Sequence, residues 1–134
     1  MADVVAILNP QAAGGTVRRR WPAYEQAIRQ RIPHLDVRWS ERPWHAAELT
    51  QQALAEGAKL IVAVGGDGTL HEAVNGFLSH DGPRRPQARL GYVPMGTGGD
   101  FQRTLQAPTD PELTADYLAA GRTAAIDVGC VRFL

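Results

Sequence analysis

Leu60-Ile61-Val62-Ala63-Val64-Gly65-Gly66-Asp67-Gly68-Thr69-Leu70-His71-Glu72-Ala73-Val74-Asn75 passes from an unbroken apolar run, through three glycines and an aspartate, into a helical pattern. Leu60 to Val64 is short, rich in β-branched residues and apolar at every position, as a strand buried on both faces of a parallel sheet must be. Beyond the turn, Leu70, Ala73, Val74, Phe77 and Leu78 recur at helical spacing and mark one apolar stripe. A strand that enters a helix through glycines leaves backbone N–H groups unpaired, with the positive end of the helix dipole behind them. Such a turn suits a phosphate.

The rest of the chain repeats the alternation. Val4–Leu8 is a second short apolar run, ended by Asn9-Pro10 and followed by the small-residue loop Gln11–Thr16. Val17, Trp21, Tyr24, Ile28 and Ile32 follow at helical spacing; Pro22 places the start of the regular helix near Trp21, with the proline in its first turn. Leu35–Ser40 alternates apolar and polar residues, as a strand near a sheet edge does. After the loop Glu41–Trp44, a helix carrying Ala46, Leu49, Ala53 and Leu54 ends at Gly57.

Leu90–Val93 is a further strand, and it leaves through Pro94-Met95-Gly96-Thr97-Gly98-Gly99-Asp100. A short helix with Phe101 and Leu105 is expected next. Thr109-Asp110-Pro111-Glu112 then supplies a helix start, with Asp110 as cap and Pro111 at the first position, or Thr109 and Glu112 as a capping box. Gly121 ends that helix, and Ala124–Val131 reads as a last strand. The expected architecture is a parallel α/β sheet with helices on both faces. Ligands bind such sheets beyond the carboxyl ends of the strands, where the exits after Leu8, Val64 and Val93 would converge.

Composition narrows the function classes. The chain has 134 residues, is 44% hydrophobic and 21% charged, and carries no formal net charge. One ordinary domain with a proper core is expected, without the basic footprint of a nucleic-acid binder. Arg18-Arg19-Arg20 and Arg84-Arg85 read as solvated surface. Cys130 is alone, which excludes a disulfide framework and makes a reducing, cytoplasmic setting the expectation. No apolar run approaches membrane-span length, and contact with lipid would be peripheral. The apolar ending Val131–Leu134 suggests a chain cut from something longer.

The turn at Gly65–Thr69 is neither a P-loop nor a dinucleotide fingerprint: no lysine follows the glycines, and His71 stands where a third glycine would. Asp67 is its informative residue. A carboxylate beside phosphate is repelled unless a divalent cation lies between them or the carboxylate takes a proton from an attacking hydroxyl. Capping the following helix is the structural alternative.

Gly65–Gly76 resembles the nucleotide-binding signature of the diacylglycerol kinase catalytic domain, a family that includes sphingosine, ceramide and bacterial lipid kinases. Asn9-Pro10 with Ala13-Gly14, Ser40–Pro43 with His45–Leu49, and Val93–Phe101 resemble three further blocks in the family's order. The resemblance implies a three-layer, Rossmann-like fold shared with NAD kinases. It also implies ATP and magnesium (Mg2+) in a cleft lined by Asn9, Ser40, Gly65, Gly66, Asp67, Gly68, Thr69, Gly96 and Thr97. Asp67 becomes the catalytic carboxylate and, through Mg-ATP, a metal contact; His71, Glu72 and Asn75 take supporting roles behind it.

Residues 1–134 would then be the N-terminal nucleotide-binding domain of a kinase that phosphorylates a lipid hydroxyl. The family's C-terminal β-rich lipid-binding domain would then lie outside these residues, as expected of a truncated chain. Two departures stand out: Gly99 replaces the usual Asn, and Trp44 a common Gly. An NAD kinase-like phosphotransferase is the second reading. A nucleotide-binding module without turnover is the third.

Overall fold

A computed structural model describes residues 3–95, 109–121 and 128. Among the described residues four parallel strands make one sheet in the order β2-β1-β3-β6: β1 (Val4–Leu8), β2 (Asp36–Trp39), β3 (Leu60–Gly65) and β6 (Arg89–Pro94). Leu8 lies opposite Trp39 on one side and Val64 on the other, and Gly65 opposite Pro94, so the carboxyl ends of all four strands form one edge. A two-residue pair, β4 (Leu78–Ser79) and β5 (Gly82–Pro83), makes a separate antiparallel ribbon. β2 is an edge strand, as its alternating sequence predicts.

The strand alternation divides the core. Ala6, Leu8, Val62, Val64 and Val93 face α1 (Thr16–Arg31) and α4 (Pro111–Ala120), packing on Val17, Trp21, Tyr24, Ile28, Ala115 and Leu118. Val5, Ile7 and Ile61 face α2 (His45–Ala55) through Ala46, Leu49, Ala53 and Leu54. Ala63 and Tyr92 face α3 (Asp67–Phe77) through Leu70 and Ala73. The result is the expected three-layer α/β/α arrangement. Burial of each large side chain contributes roughly 1.5–3 kcal/mol, and Val5, Ile7, Ile61 and Val64 are all inaccessible to solvent.

Helix α1 departs from its expected start. It begins at Thr16, after a 3-10 turn at Ala12–Gly15, and Pro22 lies inside it. Pro22 is exposed and withholds one hydrogen bond, but ending the helix there would detach Val17, which is fully buried and sits one turn before Trp21. Packing overrides the local breaker. The end of α2 follows sequence closely: Gly57 has φ +103, its N–H donates to Leu54 O, and Ala58 N donates to Ala53 O. That is a Schellman motif closing on glycine. The expected helix with Phe101 and Leu105, the strand Ala124–Val131, Cys130, Gly99 and the site candidates Gly96 and Thr97 lie outside the described residues.

Candidate phosphate site at the carboxyl edge of the sheet

Backbone bonds extend the strand ladders to the edge and fix what stands there. Ser40 N donates to Leu8 O (2.8 Å), Asn9 N to Val64 O (3.3 Å) and Met95 N to Gly65 O (2.8 Å). Ser40, Asn9 and the glycine turn are thereby held side by side at the ends of β2, β1 and β3. The chain reverses its direction of winding between β1 and β3, the place where open α/β sheets gape. Asn9 folds its own loop back: its Oδ1 accepts from Gln11 N (2.9 Å) and its carbonyl from Ala12 N (3.2 Å).

The turn itself needs glycine at one position above all. Gly65 has φ +153, and a Cβ there would stand 2.5 Å from Thr69 Oγ1 and 3.4 Å from Ala12 Cβ. Gly65 therefore lets the first loop, the turn and the opening of α3 close on one another. Gly68 is different: a Cβ there meets nothing within 4 Å, so its backbone is open to an approaching group.

Helix α3 starts without a side-chain cap. Its N-cap is Gly66, and the first backbone bond of the helix is Leu70 N to Gly66 O. Among the described residues the N–H groups of Asp67, Gly68 and Thr69 have no acceptor. The Thr69 hydroxyl is buried and also without a partner. The three N–H groups at the positive end of the helix would hold an anion, whereas the Thr69 hydroxyl faces inward against Gly65.

Asp67 is the first residue of α3 and is exposed. The alternative in which it caps the helix does not hold, because Gly66 occupies that position. Its Oδ1 instead accepts from the Tyr92 hydroxyl at 3.3 Å, and the same hydroxyl lies 3.4 Å from Gly65 O. Burial, then the negative charge of Asp67, then the hydrogen bond to it push the Tyr92 phenol up to about 12. Tyr92 therefore remains a protonated donor at any physiological pH. Among the described residues Asp67 makes no ion pair.

The family now follows from the whole chain rather than from the turn. The sequence matches the diacylglycerol kinase catalytic domain over residues 3–131. The chain belongs to that family. It is 40% identical over 123 residues to proteins named diacylglycerol kinase from Staphylococcus haemolyticus and Staphylococcus aureus (strain Newman), covering 92% of this chain and 36% and 38% of theirs. It also resembles the crystal structure of a diacylglycerol kinase from Bacillus anthracis, with a TM-score of 0.75 and 27% identity, over 90% of this chain and 42% of that one. The chain thus spans well under half the length of these relatives. Between the diacylglycerol kinase and NAD kinase resemblances, the match decides for the former.

The departure from the family's common glycine at Trp44 has a backbone consequence. Trp44 is the N-cap of α2 with φ +67, a left-handed conformation that costs a non-glycine residue roughly 1–2 kcal/mol. Its ring is exposed and tilted against His71, centroids 5.8 Å apart. Around it lie the residues expected to support the site in a diacylglycerol kinase. Glu72 Oε1 accepts from Ala46 N (3.2 Å), so α3 supplies an acceptor to the start of α2. Asn75 Nδ2 donates to His71 O (2.8 Å) and lies 3.3 Å from His71 Nε2. Their hydrogen bonds run to α2 and along α3, not to Asp67. Tyr92, the side chain that does reach Asp67, was not among the residues expected from sequence.

Magnesium fits this donor set in one particular way. Among the described residues no three His, Cys, Asp or Glu side chains gather as a metal cage. Magnesium is commonly held by one or two carboxylates together with substrate phosphates and water, and Asp67 offers one such carboxylate, exposed and, among the described residues, without a cation partner. A hollow of about 140 Å³ near Leu60, Leu90 and Leu118 lies at the opposite, amino end of β3 and β6 and takes no part in the site.

Proposed function

We propose that this chain is the ATP-binding domain of a lipid kinase, in which the γ-phosphoryl group passes from ATP to a lipid hydroxyl such as that of diacylglycerol. One observation carries the reading: among the described residues, an exposed carboxylate with no cation partner stands in the first turn of a helix whose N–H groups of residues 67–69 are unsatisfied. Those donors would bind phosphate oxygens. Asn9 and Ser40, on the neighbouring strand ends, would line the nucleoside side of the cleft, and Gly96 and Thr97 would complete it from the loop after β6. Magnesium, when bound, would neutralise phosphate charge, and Asp67 is the side chain here that would meet it.

The chemistry asks little covalent work of the protein. The lipid hydroxyl oxygen bonds to the γ-phosphorus, the bond to the β–γ bridging oxygen breaks, and ADP leaves with the electron pair. The hydroxyl proton is then Asp67's to accept. Positioning and charge stabilisation supply most of the rate. Among the described residues no helix is long and apolar enough to cross a membrane, and the acceptor would be met by peripheral contact with a lipid surface.

Two measurements test the proposal. Titrating this chain with ATP and magnesium in a calorimeter should give saturable binding, and no heat at millimolar ATP would count against the site. In a protein of the relatives' full length, Asp67→Asn should lower kcat for diacylglycerol phosphorylation by roughly 10²–10⁴-fold, the worth of a positioned base. Wild-type turnover in that variant removes Asp67 from the chemistry. Phosphorylation of NAD in place of lipid would revive the second reading.

A further inference from the structure

Tyr92 stands apart from every other polar side chain of the sheet. It is 5% exposed, and its ring packs in the cluster of Ala63, Leu70 and Ala73 between β3, β6 and α3. A ring gripped on these sides cannot swing, so its hydroxyl is delivered to one place at the carboxyl edge. That place lies under the glycine turn, 3.4 Å from Gly65 O at its start and 3.3 Å from Asp67 Oδ1 at its end. Asp67, by contrast, is a short exposed side chain with no ion pair among the described residues. Left alone it would sample several rotamers.

We propose that Tyr92 is a positioning residue: its rigid, buried phenol holds the Asp67 carboxylate in one orientation over the phosphate-binding turn. The proposal rests on the assignment of Asp67 to phosphoryl transfer. Both oxygen–oxygen distances are long for hydroxyl hydrogen bonds, because the single phenol proton lies between two acceptors. Because the phenol donates and bears no charge, it leaves the carboxylate its full charge for a cation or a proton. An arginine or lysine in the same place would spend that charge.

Tyr92→Phe removes the hydroxyl and keeps the ring, and three readouts separate positioning from simple support. With aspartate labelled at the carboxyl carbon, the Asp67 signal, identified by its loss in Asp67→Asn, should shift in Tyr92→Phe of this chain without any ligand. In the full-length kinase, kcat should fall roughly 10- to 100-fold while KM for ATP moves by less than about threefold. Introduced into Asp67→Asn, Tyr92→Phe should cost far less than it does alone, since the partner it acts through is already changed.

An unmoved Asp67 signal, or an equal loss of kcat in both backgrounds, overturns the proposal. Should Asp67→Asn keep full turnover, the kinase assignment of Asp67 fails instead. The carboxyl signal then still reports whether Tyr92 holds it. A Tyr92→Phe protein that melts early is replaced by one with 3-fluorotyrosine at 92, which keeps both ring and hydroxyl. If the orientation is set by the phenol, that protein retains the wild-type kcat.

Discussion

Helices α2, α3 and α4 each carry one acidic residue in the first turn, and the three carboxylates end in different company. In α4, Asp110 caps the helix by accepting from Leu113 N (3.1 Å), and the first-turn Glu112 pairs with Arg31 of α1 (3.1 Å). In α2 the acceptor comes from a neighbour, Glu72, and the first-turn Glu48 pairs with Arg42. In α3 there is no side-chain cap, and among the described residues Asp67 meets only a neutral phenol. All three starts face the same physics of unpaired N–H groups and positive dipole. Two answer it within the protein. Among the described residues the third leaves donors and charge available, as the proposed site requires and a finished helix does not.

The largest effect should come from closing the third start. Gly65→Ala combines a φ of +153 with a Cβ driven into Thr69, and strain plus overpacking should cost about 2–4 kcal/mol in urea denaturation. ATP affinity should fall with it, because α3 would have to shift. Gly68→Ala sharpens the point. Its Cβ has open space and alanine favours a helix by up to about 1 kcal/mol over glycine, so stability should hold or rise while ATP binding weakens at the occupied backbone. If Gly68→Ala binds ATP as wild type does, the ligand does not approach that peptide, and the open start of α3 has another explanation.

A smaller effect is expected at the finished start. Asp110→Ala deletes the α4 cap and should cost about 1 kcal/mol, seen as a lower melting temperature with ATP affinity unchanged. Any loss of ATP binding would mean that α4 communicates with the carboxyl edge, which its packing on α1 at the far side of the sheet gives no reason to expect.

The same contrast explains what could be read from the sequence. The finished starts and ends were legible because their signals are local: Asp110-Pro111 before α4, and Gly57 after α2. The sheet was legible because Val4–Leu8, Leu60–Val64 and Leu90–Val93 are apolar on both faces. The open turn was legible as three glycines around an acid. What escaped is tertiary. Tyr92 reaches Asp67 across 25 positions, Glu72 serves a helix 26 positions earlier, and Val17 holds α1 together before Pro22. In a strand sequence Tyr92 is merely another large residue; its hydroxyl acquires meaning only when α3 is laid beside β6.

The smallest effect belongs to Glu48, a first-turn acid like Asp67 but one whose charge is spent. Arg42 grips it with a two-pronged fork, Nη1 to Oε1 at 3.0 Å and Nη2 to Oε2 at 2.6 Å, and this hydrogen bonding holds the Glu48 carboxyl below its ordinary value of 4.5. A lowered carboxyl value means that the folded protein binds its proton less readily than the unfolded chain does. The pair's contribution is therefore complete above the unfolded value and fades as pH falls through the folded one. Both side chains are exposed, so solvent and salt screen them strongly. Arg42→Ala should lower the melting temperature only slightly at pH 7, and the difference from wild type should shrink as pH falls through the lowered Glu48 value. A difference that persists at a pH where Glu48 is titrated to neutral in both proteins would show that Arg42 acts through packing near Trp44 rather than through charge. The contrast with Asp67, which has no cation partner among the described residues, would then rest on Tyr92 alone.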